Sequence, residues 1–282
     1  MLRGEAMKHS LKIAHIIYVT EIRERQRASY LHVAQPLTIK SMINAKEEAE
    51  GIIDVDLVAT THLDDKIEVP EEFNWAARIK NYGWEYIDCL KDVQPHKQLP
   101  RIADIVNNLY EYSDADYFIY TNLDIGVRPN FYIEIAKLID KGYDGFSINR
   151  RDLPKEYNNL LLDESQTQLI YTLDGDEHPG IDCFIFKRSF VPSMNMGNVF
   201  IGFSPIGQVL MTQIAKQANK FEWFKDLILT FHIGQDSPWT GESEYYNANV
   251  AEGEGLYDNW FVPKPTLMQK IKHKLRSICG WN

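Results

Sequence analysis

Ala115-Asp116-Tyr117-Phe118-Ile119-Tyr120-Thr121-Asn122-Leu123-Asp124-Ile125 is the stretch on which the reading of the chain turns. Tyr117 to Tyr120 is aromatic and β-branched without a polar break, the pattern of a strand buried on both faces of a parallel sheet. Thr121, Asn122 and Asp124 follow at once, and Gly126, Arg128 and Pro129 then punctuate a turn. An amide and a carboxylate two residues apart, at the carboxyl end of a buried strand, stand where open α/β sheets take their ligands. Alternate residues of an extended chain face the same way, so Asn122 and Asp124 are expected to present oxygens to one hard cation. The same N-x-D spacing also closes strands as a plain Asx turn, so the surroundings must choose.

Upstream, Lys12 to Thr20 reads as a first buried strand. A helical spacing of Leu31, Ala34, Leu37, Ile39, Met42 and Ile43 follows, and then a second strand from Val55 to Thr60. Strand, helix and strand within about fifty residues make a βαβ unit. Pro70-Glu71-Glu72-Phe73 reads as a helix start and Tyr86 to Leu90 as a short strand. Pro100 to Tyr112 presents Ile102, Ile105, Val106 and Leu109 on one helical face and leads into the Tyr117 strand. Downstream, a helix opens at Pro129-Asn130-Phe131, with the proline in its first turn. A strand from Gly145 to Asn149 follows and carries Arg150, Arg151 and Asp152 at its end. His178-Pro179-Gly180-Ile181-Asp182 reads as a turn feeding the apolar run Cys183 to Phe186. A helix from Ile206 to Ala218 precedes a last strand, Leu227 to Ile233, that carries His232; Gly234 to Asn259 reads as a surface loop. Alternating strands and helices predict an α/β fold whose central sheet is mixed, mostly parallel and flanked by helices.

At 282 residues, with 44% hydrophobic and 12% aromatic side chains, the chain has ample material for a sizeable core. Cys89, Cys183 and Cys279 make no CxxC pair, and an odd number of cysteines does not make a disulfide framework, so a reducing compartment is expected. Met1 to Ser10 has no apolar centre and no run approaches the roughly 18 residues of a membrane span, so a cytoplasmic location is expected. A net charge of −10 excludes the electrostatics of a nucleic-acid binder. There is no G-x-G-x-x-G after the first strand, no P-loop and no G-x-S-x-G elbow, which removes nicotinamide, P-loop and α/β-hydrolase chemistries.

Tyr120-Thr121-Asn122-Leu123-Asp124-Ile125, with Pro129 and Phe131-Tyr132 after it, resembles the nucleotide-sugar glycosyltransferases of the GT-A (Rossmann-like) fold, in a bacterial branch. The apolar strand after His-Pro-Gly-x-Asp strengthens the likeness, which covers most of residues 10 to 235. The resemblance implies transfer of a sugar from a nucleoside-diphosphate sugar to a hydroxyl acceptor, whether a glycan, a lipid-linked or a small molecule. Asp124 matches the final acid of the family's D-x-D, which holds Mn²⁺ or Mg²⁺ against the donor diphosphate; Asn122 replaces the first acid. A divalent ion there stabilises the charge that develops on the leaving diphosphate. His232 matches by position a histidine that some members add to the metal shell, or it simply ends a strand. The acceptor hydroxyl needs a base, and Asp182 is the first candidate, with His178 behind it. Thr20, Glu21 and Asp64, at the ends of the first two strands, are where base and ribose contacts would fall. Lys97 and Arg101, leading the helix before the central strand, could reach the diphosphate. Arg150 and Arg151 read as a solvated pair or as a contact to a phosphate. Two other classes fit the same features: a non-catalytic nucleotide- or sugar-binding module, and a nucleotidyltransferase.

Residues 1–262 are expected to form the glycosyltransferase-like domain, and 263–282 a basic amphipathic helix. There Leu267, Met268, Ile271, Leu275 and Ile278 share a face, among Lys270, Lys272, Lys274 and Arg276. No acid follows Asp258; without the five bases after it the body carries 25 basic against 40 acidic side chains, or −15. Such a helix either docks on the domain or makes peripheral contact with the inner face of an anionic membrane.

Overall fold

The computed structural model describes residues 11–22, 30–154, 157, 163–234 and 243–258. Its strands are β1 (Lys12–Tyr18), β2 (Asp54–Thr60), β3 (Phe73–Trp75), β4 (Tyr117–Thr121) and β5 (Ile125–Val127). They continue with β6 (Gly145–Asp152), β7 (Asp176–Lys187), β8 (Phe221–Phe224) and β9 (Thr230–His232). The helices are α1 (Leu31–Glu48), α2 (Ile102–Tyr112), α3 (Phe131–Asp140), α4 (Thr167–Tyr171), α5 (Ile206–Gln217) and α6 (Glu244–Gly253).

All nine strands among the described residues join one sheet in the order β3-β2-β1-β4-β7-β6-β9-β5, with β8 also paired to β6. Their pairings send β1, β2, β3, β4, β6, β8 and β9 in one direction and only β5 and β7 in the other. The first connections run outward from β1 through β2 to β3, and the chain then returns to place β4 on the other side of β1. That reversal is a topological switch point, and it opens a crevice at the carboxyl edge between β1 and β4.

The two-residue period of the strands assigns each side chain to a layer. Ile13, Ile17, Leu57, Ile119 and Ile185 pack with Met42 and Ile43 of α1 and Phe131 and Ile135 of α3. Ala14, Ile16, Phe118, Tyr120, Phe184 and Phe186 pack with Ile105 and Leu109 of α2 and Val209 and Leu210 of α5 on the opposite face. β4 is therefore buried on both sides, as its unbroken apolar run requires, and lies fourth of the eight strands along the sheet.

Several local expectations are corrected. Pro70 begins a turn, closed by Phe73 N–H donating to the Pro70 carbonyl at 3.0 Å, that feeds the edge strand β3 and not a helix. Tyr86 to Leu90 is not a strand: it joins two 3₁₀ turns, Gly83–Tyr86 and Asp88–Leu90. Ile87 and Leu90 are the buried pair there, three residues apart, which is one turn of such a helix. Asn130 stands at the N-cap position of α3 without a side-chain cap bond, so Pro129 lies one place before it. The supposed loop after Gly234 contains α6, where Ser243 caps the helix by accepting from Tyr246 N–H at 3.1 Å and Tyr245, Ala248 and Asn249 are buried. The short strands β5 and β8 add to the expected set, and the last strand is only three residues long. No described helix is long and apolar enough to cross a membrane, and the basic tail lies outside the described residues.

Candidate active site

Backbone register brings one group of polar side chains to the carboxyl edge of the sheet. β5 begins immediately after Asp124 and runs antiparallel to β9 with Ile125 opposite His232; Ile233 N–H donates to the Asp124 carbonyl at 2.9 Å. β9 lies parallel to β6 with His232 opposite Asp152. His232 is thus placed between two acids by pairing alone: its Nε2 is 3.4 Å from Asp124 Oδ2 and its Nδ1 is 3.6 Å from Asp152 Oδ1. Arg150, buried two residues earlier in β6, holds Asp152 through Nε at 3.0 Å and reaches Asp182 Oδ2 through Nη1 at 3.4 Å. Acid and base alternate along Asp124, His232, Asp152, Arg150 and Asp182.

β7 contributes Asp182 through an irregularity. Between Asn149↔Ile181 and Arg151↔Glu177 the β7 side advances four residues while β6 advances two. His178-Pro179-Gly180 stand opposite Arg150 alone, a surplus of two residues, so the predicted turn is a bulge inside a continuous strand. Proline, which cannot donate to a ladder, is tolerated there. Glycine at 180 lets these side chains close in: a Cβ would stand 2.7 Å from His178 Nδ1 and 2.9 Å from Asp182 Oδ2, and both would have to shift.

The charges settle accordingly. Burial pushes the Asp124 carboxyl up, but the hydrogen bond and charge of His232, with Arg150 beyond, hold it below its ordinary value. Asp152 is likewise lowered, its burial outweighed by His232, Arg150 and His178. Burial lowers His232, yet the hydrogen bonds to Asp124 and Asp152 raise it to about 9, so a cation at this site would have to displace the Nε2 proton before the ring could serve as a ligand. Asp182 moves the other way: burial raises it, Arg150 opposes, and the Asp124 charge adds to the rise.

The expected oxygen pair is not what the fold assembles. Asn122 Oδ1 accepts from the Tyr120 hydroxyl at 2.8 Å, and its Nδ2 donates to Asp182 Oδ1 at 2.8 Å, so the amide faces Asp182 and not Asp124. The donor set that does suit a cation is Asp124 with His232, whose second nitrogen is oriented by Asp152. Mg²⁺ or Mn²⁺ shared with ligand phosphates uses only one or two protein groups. No cluster of three or more His, Cys, Asp or Glu fit to hold a metal occurs among the described residues.

His178 has its Nδ1 occupied by the Gly180 N–H at 2.8 Å. Its Nε2 lies 3.9 Å from Asp152 Oδ2 and 3.4 Å from Arg150 Nη2, which can only donate. Whichever ring nitrogen holds the lone pair, an N–H donor already faces it, so Asp182 is the better candidate for the base.

Across the crevice, Thr20 is clamped by Gln35, which accepts from its N–H at 3.0 Å and donates to its carbonyl at 3.2 Å. Glu21 Oε2 accepts from Lys66 N–H at 3.4 Å. Asp64 points outward, its side chain 73% exposed, beside His62. Its neighbour Asp65 is the buried one, accepting from Thr20 Oγ1 at 3.2 Å and Thr61 Oγ1 at 3.4 Å. Asp65 was missed because two adjacent aspartates after a strand give no sequence signal for which one turns inward. Lys97 and Arg101 have their contacts elsewhere. Lys97 Nζ lies over Phe203 and Tyr245. Arg101 makes a two-pronged pair with Asp104, donates to Asn198 and stacks on Tyr86. The other residues missed are Arg150 as a buried hub and Asp152; a charged Arg-Arg-Asp string looks like a solvated strand end.

No family model matches the sequence, and no curated protein matches it. Among solved structures, S. aureus TarS 1–349 in complex with UDP-GlcNAc is similar at 12% identity and a TM-score of 0.47, over 84% of this chain and 64% of that one. Glucosyl-3-phosphoglycerate synthase from Mycobacterium tuberculosis, in complex with Mn²⁺, UDP-glucose and phosphoglyceric acid, is similar at 11% identity and a TM-score of 0.48. That likeness covers 89% of this chain and 84% of the other. Both are nucleotide-sugar glycosyltransferases of the GT-A fold, the class the sequence resembles. The chain spans just under two thirds of the TarS piece, and likeness at this level concerns the course of the backbone alone.

Proposed function

We propose that the chain is a glycosyltransferase that moves a sugar from a nucleoside-diphosphate sugar to a hydroxyl acceptor. The observation that carries the reading is the alternating cluster of Asp124, His232, Asp152, Arg150 and Asp182 at the carboxyl edge, next to the β1–β4 switch point. Thr20, Glu21 and Asp65 line the β1–β2 side of that crevice and are assigned to the nucleoside. Asp124 and His232 would hold Mn²⁺ or Mg²⁺, which when bound supplies counter-charge to the donor diphosphate.

The chain's own groups do the rest. Asp182 takes the acceptor hydroxyl's proton as the acceptor oxygen bonds to the anomeric carbon and the bond to the diphosphate breaks. A carboxylate raised above its ordinary value is closer to the pH at which it must work, which improves it as a base. Asp152 orients His232, and Arg150 keeps Asp152 and Asp182 apart in charge.

The test is a thermal-shift and calorimetric screen of nucleoside diphosphates and their sugars, with and without Mn²⁺. A ligand that binds only the native state raises its melting temperature by mass action. Asp124→Ala is expected to abolish metal-dependent nucleotide binding in a protein that remains folded. Asp182→Asn is expected to keep nucleotide affinity and to lose about 10²–10⁴ in rate, the usual contribution of a general base. A wild-type protein that no nucleoside diphosphate stabilises would overturn the reading.

A further inference from the structure

We propose that Asn122 is a positioning residue for Asp182, that Tyr120 fixes the direction in which it acts, and that an amide stands at 122 because a carboxylate faces it. The inference rests on the reading of Asp182 as the base and assigns a role to the position where the glycosyltransferases it resembles carry an acid.

The strand register specifies the arrangement. β4 and β7 pair antiparallel through Thr121↔Cys183, and the next pair along is Asn122 with Asp182, where Asn122 N–H reaches the Asp182 carbonyl at 3.4 Å. Residues directly opposite on an antiparallel pair bring their side chains together on one face. The period of two puts Tyr120 on that face beside Asn122, and Phe184, opposite Tyr120, stacks on its ring at 6.3 Å between centroids. The three polar groups then form a line in which each hydrogen bond has one sense. The buried Tyr120 hydroxyl, pushed by its burial well above its ordinary value, keeps its proton and donates it to Asn122 Oδ1. With its oxygen so engaged, the amide presents only N–H to Asp182 Oδ1. Arg150 takes the other carboxylate oxygen. Asp182 is therefore held at both oxygens, with the Gly180 backbone close behind it.

An aspartate at 122 would break this line. It has no donor when ionised, and it would set two carboxylates at hydrogen-bond distance, where both cannot stay charged. The departure at 122 is thus matched to Asp182 and adds no ligand at Asp124.

The test uses UDP-glucose and UDP-N-acetylglucosamine with Mn²⁺ as donor probes, reading UDP release for rate and calorimetry of Mn²⁺–UDP for affinity. Tyr120→Phe and Asn122→Ala are expected to lower the rate by at least about tenfold, since small misplacement of a reacting group carries losses up to about 10². Affinity should stay within about twofold of wild type, because the lost contact acts in the transition state. Asn122→Asp should lower the melting temperature, and the exchange Asn122→Asp with Asp182→Asn should restore it, because Tyr120 and the new amide can both donate to the relocated carboxylate. The exchange should not restore the rate. An Asn122→Ala affinity loss as large as its rate loss would make Asn122 a donor or metal ligand and overturn the proposal. Full turnover in the folded fraction of Tyr120→Phe and Asn122→Ala would reduce both to structural groups and overturn it too. An exchange no more stable than Asn122→Asp would deny the pairing. Wild-type protein that takes no UDP would instead end the glycosyltransferase reading and this role with it, an outcome seen before any variant is made.

Discussion

His15 is a fully buried titratable group below the site, and it makes stability depend on pH in a calculable way. Its ring is fully buried between Phe131 and Tyr132, with Nδ1 at 2.8 Å from the Tyr132 hydroxyl and Nε2 at 2.9 Å from Thr121 Oγ1. Either neutral tautomer is satisfied by two hydroxyls, which can donate or accept. Burial lowers the ring from its ordinary 6.5 to about 3. A folded-state value below the unfolded one means that the stability contribution is complete above pH 6.5 and is lost as pH falls toward 3. Between pH 8 and pH 5 the unfolded ring takes up its proton and the folded ring does not. With those two values the loss is about 2 kcal/mol, at 1.36 kcal/mol per unit. The perturbation is His15→Gln, which removes the titration and carries a packing cost that does not vary with pH. Urea unfolding of both proteins at pH 8, 6.5 and 5 gives the test: the wild type should lose about 2 kcal/mol more than the variant over that range. Comparing the two cancels the opposite contribution of His232, whose raised value stabilises at low pH and fades as pH rises toward 9. Parallel stability curves would refute a neutral, buried His15.

Gly126→Ala should destabilise by about 1–3 kcal/mol in urea unfolding, since a Cβ there would lie 2.4 Å from the Phe231 ring, on the strand pair that aligns Asp124 with His232. Asn249→Ala should cost about 1–3 kcal/mol, because the fully buried amide accepts from Phe200 N–H and donates to the carbonyls of Phe200, Phe203 and Ser204. Hydrogen exchange should locate that loss in α6 and the 200–204 segment. Arg150→Met should cost about 3–5 kcal/mol at pH 7.5 by leaving Asp152 and Asp182 without their shared cation, and much less at a pH low enough to protonate them. An equal loss at both pH values would mean that packing, and not charge, dominates at Arg150.

The frame was legible in the sequence wherever one element decides its own pattern. β1, β2, β4, α1, α2 and α5 each carry an apolar period long enough to show both type and burial, and Asp124 and His232 follow from strand ends. What escaped depends on pairing between distant segments. β5 is three residues long and exists because it pairs with β9, so it has no period of its own, and β9 keeps only three of the residues expected of the last strand. His178-Pro179-Gly180 has turn composition, and only the register against β6 makes it a bulge. Asn122 was read by its distance from Asp124 along the chain, whereas its partner Asp182 is sixty residues away and directly opposite across two strands. Ser243 followed by Glu244, with Tyr245, Ala248 and Asn249 at helical spacing, was a visible signal for α6.

The two reversed strands explain why the polar cluster forms where it does. A sheet of strands all running one way offers its carboxyl edge only strand ends, each followed by a loop that must carry its own functional group. β7 enters that edge from the other direction, so a residue within a continuous strand, Asp182, faces the end of β4 and is held by backbone pairing on one side and a bulge on the other. β5 does the same for Asp124: the chain turns at the end of β4, runs back for three residues against β9, and in doing so fixes the Asp124 carbonyl to Ile233. Each acid of the proposed reaction is thus anchored by a main-chain ladder, and a one-residue slip in either pairing would turn its side chain to the opposite face of the sheet. Precision of this kind suits a group that must meet a reacting atom, because binding energy is then not spent on ordering it.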